Sequence, residues 1–126
     1  MRALQVIDQA FRATTEEQDD PILWLTRSMC GAGATLMFLL SGHAVQYATL
    51  SQRQPSLRLG QWQQTQPADI PGDMTNLLDS GVPFYVVRED LVERGLGETP
   101  LHPGVTAIAR DELPGLYEQA DQIWQW

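Results

Sequence analysis

One thiol, two imidazoles and a short charged triplet are the side chains of this chain best equipped for chemistry: Cys30, His43, His102 and Arg88-Glu89-Asp90. A lone cysteine can carry sulfur as a persulfide, and it reacts as the thiolate. Cys30 is expected at the C-terminal end of a helix, where the negative pole of the helix dipole raises a thiol pKa. Arg27, one turn earlier, is the nearby feature that would lower it. The plainer reading of Cys30 is a small buried apolar residue. His43 follows an apolar run and a glycine. There it could donate to an anion, act as acid or base near neutral pH, or simply be a polar turn residue. His102 lies in a loop flanked by Pro100 and Pro103 and reads as solvent-facing. Arg88-Glu89-Asp90 could recognise an anion or a thiol, with Arg88 the most useful member. Its alternative is a helix start whose acids suit the first turn. The candidate set is therefore Cys30 as covalent carrier, with Asp8, His43, Arg88, Glu89 and Asp90 as binding groups.

These residues need elements to position them. Ala3–Ile7 reads as a first strand ending at Asp8-Gln9, followed by a polar loop through Asp19. Asp20 and Pro21 suit the N-cap and first position of a helix. Ile22, Leu25 and Met29 are expected on its buried face, and Gly31 and Gly33 end it. Thr35–Leu40 is apolar on both faces, as a buried parallel strand should be. Ser41-Gly42-His43 breaks it, and residues 44–48 form a short helix. Residues 51–67, rich in Gln, read as an irregular excursion. Asp73 is expected to cap a helix that ends at Gly81. Phe84–Val87 and Val105–Ile108 are further strands. Asp111 is expected to cap a last helix, with Leu113, Leu116, Tyr117, Ala120, Ile123 and Trp124 as its buried stripe.

Strands alternating with helices predict a single flavodoxin-like, doubly wound α/β domain spanning residues 1–126. Its sheet is mostly parallel, of four to five strands, with helices on both faces. In such a sheet the carboxyl edge gathers Asp8, His43 and Arg88-Glu89-Asp90, the usual place for a site.

Composition closes off other classes. One cysteine allows no internal disulfide and no multi-cysteine zinc pattern. Two histidines far apart in sequence argue against a dedicated metal site, and nothing in the sequence asks for a cofactor. Gly31-Ala32-Gly33 is not a dinucleotide motif, because it runs from helix into strand and lacks the third glycine. A net charge of −8, with all eight basic residues Arg, disfavours nucleic acid and anionic membranes. The 43% hydrophobic fraction is that of a globular chain rather than a disordered one. No apolar run approaches the roughly 18 residues of a membrane span, and the N-terminus reads as a strand rather than a leader, so a cytoplasmic location is expected. Trp24, Trp62, Trp124 and Trp126 are many for this length, and the C-terminal pair is expected at a subunit contact.

The stretch 82–96, Val-Pro-Phe-Tyr-Val-Val-Arg-Glu-Asp-Leu-Val-Glu-Arg-Gly-Leu, resembles the DsrE/DsrF/DsrH (TusD/TusC/TusB) sulfur-relay family. Gly104-Val105-Thr106-Ala107-Ile108, followed by a polar residue, an apolar helix and Trp126, is similar to the end of DsrH-like members. The buried strand, polar turn and short helix over 34–48 also fit. The resemblance implies a flavodoxin-like domain assembling into trimers or hexamers, and persulfide transfer between cysteines. In DsrE-like members the sulfur-carrying cysteine lies eight residues before the Gly of an Arg-Gly pair. Counting back from Gly95 reaches Val87, so the chain lacks that cysteine and is a sulfurtransferase at most. The resemblance implies a homo- or hetero-oligomeric subunit that binds or positions a persulfide-carrying partner, such as a sulfur-carrier protein or sulfurtransferase. Cys30 is its one available acceptor. The alternative is a non-catalytic module on the same fold that binds a small ligand or protein.

Overall fold

The computed structural model describes residues 2–10, 21–52, 55–65, 67 and 69–126. Five strands make one sheet: β1 (Arg2–Ile7), β2 (Thr35–Leu40), β5 (Phe84–Val87), β6 (Val105–Ile108) and β7 (Gln122–Gln125). Their spatial order is β6-β5-β2-β1-β7, and every neighbouring pair is parallel. Two further short strands, β3 (Arg58–Leu59) and β4 (Trp62–Gln63), form a separate antiparallel hairpin. The helices are α1 (Pro21–Gly31), α2 (Ile70–Asp79), α3 (Arg88–Glu93) and α4 (Leu113–Glu118), with a 3-10 segment at Gly42–Ala48.

The order explains the layering. From β1 through β2 and β5 to β6 the chain steps one way across the sheet, and then returns past β1 to reach β7. Right-handed crossovers put helices on opposite faces when the direction of stepping reverses. Ile7, Phe38, Leu40, Phe84 and Val86 accordingly pack with Ile22 and Leu23 of α1, Ile70, Met74 and Leu77 of α2, and Leu91 of α3. Leu4, Val6, Met37, Leu39 and Val87 face the other way and pack with Leu116 of α4. The doubly wound architecture is thus the one expected. β1 and β2 are buried on both sides, which is why β2 reads as an apolar run from Leu36 on and β1 as one interrupted by Gln5.

Gln5 is the polar exception in β1, fully buried on the α1 side. Its amide donates to Thr26 Oγ1, and its Oε1 accepts from Trp126 Nε1 at 3.0 Å. Thr26 in turn donates to the Ile22 carbonyl at 2.9 Å. Every polar atom of the cluster has a partner, so burying it leaves no orphaned group.

Several expectations need correction. The buried residues of α1 are Ile22, Leu23 and Thr26; Leu25 and Met29 are only half-buried. Asp69, not Asp73, caps α2: its side chain accepts from Gly72 N–H at 3.2 Å. The last helix is six residues long, not the long stripe expected, and Asp111 lies in a 3-10 turn ahead of it rather than at its cap. Residues 122–125 are a strand paired with β1, and Ile123 is exposed. Asp121 explains the switch. Its N–H donates to the Arg2 carbonyl at 2.7 Å and its carboxylate accepts from Arg2 N–H at 2.7 Å, so the chain is pulled into register beside β1. His102 is not free in solvent. Its Nδ1 accepts from Gly104 N–H at 3.3 Å and its Nε2 lies 2.9 Å from Thr75 Oγ1. Asp20 as helix cap and most of the polar loop before it lie outside the described residues.

Candidate functional site

The carboxyl edge of the sheet collects the tips of β1, β2 and β5 because all three run the same way. Asp8 follows β1 directly. Its Oδ1 accepts from Ser41 Oγ and its Oδ2 from Gln125 Nε2, so it ties the ends of β2 and β7 to β1. The Asp8 carbonyl accepts from Ala44 N–H at 3.2 Å, which fixes the start of the 3-10 segment.

Asp90 does the same for β2, β5 and β6. α3 begins directly after β5, which places Asp90 in the first helical turn. Its Oδ2 accepts from Gly42 N–H at 2.9 Å, and its Oδ1 accepts from Arg110 Nη2 at 2.6 Å. Arg110 also reaches Glu93 at 3.4 Å. Hydrogen bonds to Asp90 first, and to Glu93 second, hold the Arg110 guanidinium pKa above its ordinary value. Glu89 accepts from Arg110 N–H at 2.7 Å through Oε2, and its Oε1 has no partner.

Gly42 is the hinge of this arrangement. Its φ of +55 lies in the left-handed region, and a Cβ there would stand 3.1 Å from the Asp8 carbonyl oxygen. Gly42→Ala is therefore expected to destabilise the fold by about 1–2 kcal/mol from backbone strain alone, with the close approach adding to it. Urea unfolding measures this directly. An alanine variant as stable as the parent would contradict the turn geometry.

His43 is exposed beside this network, and Arg88 is exposed with its Nη2 3.3 Å from the Ala107 carbonyl. The carboxylates of Asp8 and Asp90 are thus occupied within the fold, while His43 and Arg88 face outward. Arg88, Glu89, Val92, Glu93, Ala109 and Arg110 line an open groove of about 390 Å³ between α3 and the turn after β6. Among the described residues no three metal-ligating side chains come together.

Cys30 is elsewhere. It lies at the C-terminal end of α1, half-buried against the core, five positions before β2 begins. β2 separates it from His43, and six strand residues span roughly 17 Å. Burial pushes the Cys30 thiol up from its ordinary pKa. Val87, the position that the family count reaches, is 1% exposed and faces Leu4, Met37 and Leu39.

Of the residues singled out in the sequence, Asp8 and Asp90 join one network around Ser41-Gly42, with His43, Arg88 and Glu89 at its margin. Cys30 stands apart. Arg110 and Gln125 were not singled out, although both sit at strand tips; Arg110 was legible as the charged residue closing β6.

No family model matches the sequence, and no curated protein matches it. Two solved structures resemble the fold over the full length. The ychN protein of E. coli superposes with a TM-score of 0.73 at 19% identity, covering 100% of both chains. MTH1491 of Methanobacterium thermoautotrophicum, a protein of unknown function, superposes with a TM-score of 0.68 at 14% identity, covering 99% of this chain and 98% of its own. The chain shares its fold with both. That agrees with the α/β architecture implied by the sulfur-relay resemblance, and at these identities it speaks for the fold alone. Among the described residues no helix is long and apolar enough to cross a membrane.

Proposed function

We propose that this chain is a sulfur-relay-type subunit that binds and positions a persulfide-carrying partner without carrying the sulfur itself. One observation supports this reading most: the only thiol lies at the opposite edge of the sheet from the polar strand tips, while the family's carrier position is a valine closed inside the core. A carrier thiol has to be reachable by its partner and poised as thiolate. Cys30 is half-buried and shifted toward the thiol form. In this reading Cys30 is a packing residue. The outward-facing His43 and Arg88 are the recognition groups, held in place by the Asp8 and Asp90 networks beneath them.

Affinity capture from the native host tests the proposal. The tagged parent chain is expected to retain a sulfurtransferase or a small sulfur-carrier protein, and the His43→Ala/Arg88→Ala double variant to lose it while keeping its fold. A binding module without sulfur chemistry is the second reading, favoured by the same closure of position 87. A specific, His43- and Arg88-dependent partner unable to carry sulfur would select it. Capture unaffected by the double variant would refute this surface in both readings.

A further inference from the structure

β7 is held by one neighbour only. It lies at the end of the sheet beside β1, with Trp124 half-buried and its other three residues exposed. β1, by contrast, is buried from Ala3 to Ile7. Besides the ladder to β1, a few bonds pin the two ends of this stretch. Asp121 closes the entry: its N–H donates to the Arg2 carbonyl and its carboxylate accepts from Arg2 N–H, both at 2.7 Å. Trp126 closes the exit. Its N–H donates to the Val6 carbonyl at 2.9 Å, its carbonyl accepts from Asp8 N–H at 3.2 Å, and its indole N–H donates to the buried Gln5 Oε1 at 3.0 Å. Trp126 also packs against the core, so it acts as a peg. A row of exposed residues pinned at two ends has little burial to lose on opening, and low burial marks the segments that open locally.

Asp8 carries the state of this strap to the strand tips. Two of its bonds run to the strap: its carboxylate accepts from Gln125 Nε2, and its N–H donates to the Trp126 carbonyl. Two others hold the turn that presents His43. Its carboxylate accepts from Ser41 Oγ, and its carbonyl accepts from Ala44 N–H at 3.2 Å. His43 stands between those two anchors. With the strap away, Asp8 ends a strand whose flank is open. Gly42 N–H stays bonded to Asp90, so the turn loosens at Ser41 and Ala44 rather than melting.

We propose that residues 121–126 dock and release as one unit, in an opening far smaller than global unfolding, and that docking of this strap orders the turn carrying His43 through Asp8. Docked, the strap presents His43 on a fixed turn; released, it leaves His43 on a loosened one. The coupling is reciprocal, so whatever binds the ordered turn also holds the strap down. The bonds of Asp8 carry this coupling, and it holds whichever partner His43 meets, with or without sulfur chemistry.

Native-state hydrogen exchange on the full chain provides the test. The Asp8, Asp121 and Trp126 amides and the Trp126 indole N–H are expected to share one opening equilibrium. That opening should be about tenfold or more easier than the one exposing Phe38 N–H, which donates to the Pro83 carbonyl at 2.9 Å between inner strands. Trp126→Phe keeps a ring in place but leaves Gln5 Oε1 buried without that donor. It is expected to raise the shared opening about tenfold, with Phe38 unmoved. Ala44 N–H should rise with the strap, and Gly42 N–H should change less. Adding Gln5→Met removes the orphaned acceptor, while Thr26 keeps its bond to the Ile22 carbonyl, so the opening is expected to fall back. Strap protons that exchange no faster than Phe38, or at unrelated rates, would overturn the single unit. Ala44 exchange indifferent to Trp126→Phe would overturn the coupling to His43. A double variant no better protected than Trp126→Phe would overturn the role of the peg.

Discussion

Phe84→Ala is expected to cost about 3–5 kcal/mol of folding free energy, the range for emptying a buried aromatic position. Phe84 is 1% exposed and stacks on Phe38, with ring centroids 4.6 Å apart and planes 17° from parallel. The two residues are register partners in the β2–β5 ladder. The stack therefore clamps together the two strands whose tips deliver Gly42 and Asp90. With total stabilities of about 5–15 kcal/mol typical of domains, the loss is a large share of what holds the fold. Urea unfolding gives the magnitude, and hydrogen exchange at Gly42 N–H reports whether its bond to Asp90 loosens with it. Phe84→Leu keeps most of the apolar volume and is expected to cost far less. Equal costs for the two variants would mean that the ring stack, which both remove, outweighs the apolar volume that leucine restores.

Cys30 is expected to remain free of added sulfur when the native chain meets a low-molecular-weight persulfide donor. Intact mass would show the parent mass alone, whereas the same thiol in urea gains sulfur readily. The physical grounds are access and ionisation. Cys30 packs against the core, and burial raises its pKa. At neutral pH a raised pKa means less thiolate than in a free cysteine, hence slower reaction. Alkylation of the native chain should be on the order of tenfold slower than in urea, burial and protonation acting together. Its rate should keep climbing with pH beyond about 8.5, where an unperturbed cysteine begins to level off. Stoichiometric persulfide on native Cys30 at neutral pH would return it to the role of carrier.

The parts of the fold legible in the sequence are those where burial dictates residue type. Thr35–Leu40 and Phe84–Val87 were bounded as the structure has them, because an inner parallel strand needs apolar side chains and breaks where they stop; Val105–Ile108 was bounded correctly too, although it is an edge strand. β7 was misread for the opposite reason. An edge strand has one flank in solvent and needs no apolar run, and Gln122-Ile123-Trp124-Gln125 happens to continue the helical spacing of Leu113 and Leu116. The cap of α2 was misplaced by four residues although Pro71, tolerated only in a first turn, marks the start next to Asp69. The gathering of Asp8, Gly42 and Asp90 followed from strand direction alone. That their carboxylates are consumed internally did not, since it depends on Arg110 and Gln125, which reach them from β6 and β7. The hairpin was hidden in a Gln-rich stretch whose short strands bury almost nothing.

The pairing of Ala3–Val6 with Gln122–Gln125 joins the earliest strand of the sheet to the latest. While the chain is being synthesised, β2 can cover one flank of β1 early, but the other flank has no mate until more than a hundred further residues have emerged. For that interval a row of unsatisfied amides beside Leu4 and Val6 is open to any passing extended polypeptide, the situation in which nascent chains aggregate. A distant closing pair of this kind also slows folding. Recovery of this protein in a host should therefore respond to chaperone supply and to translation temperature more than its finished, well-packed core would suggest.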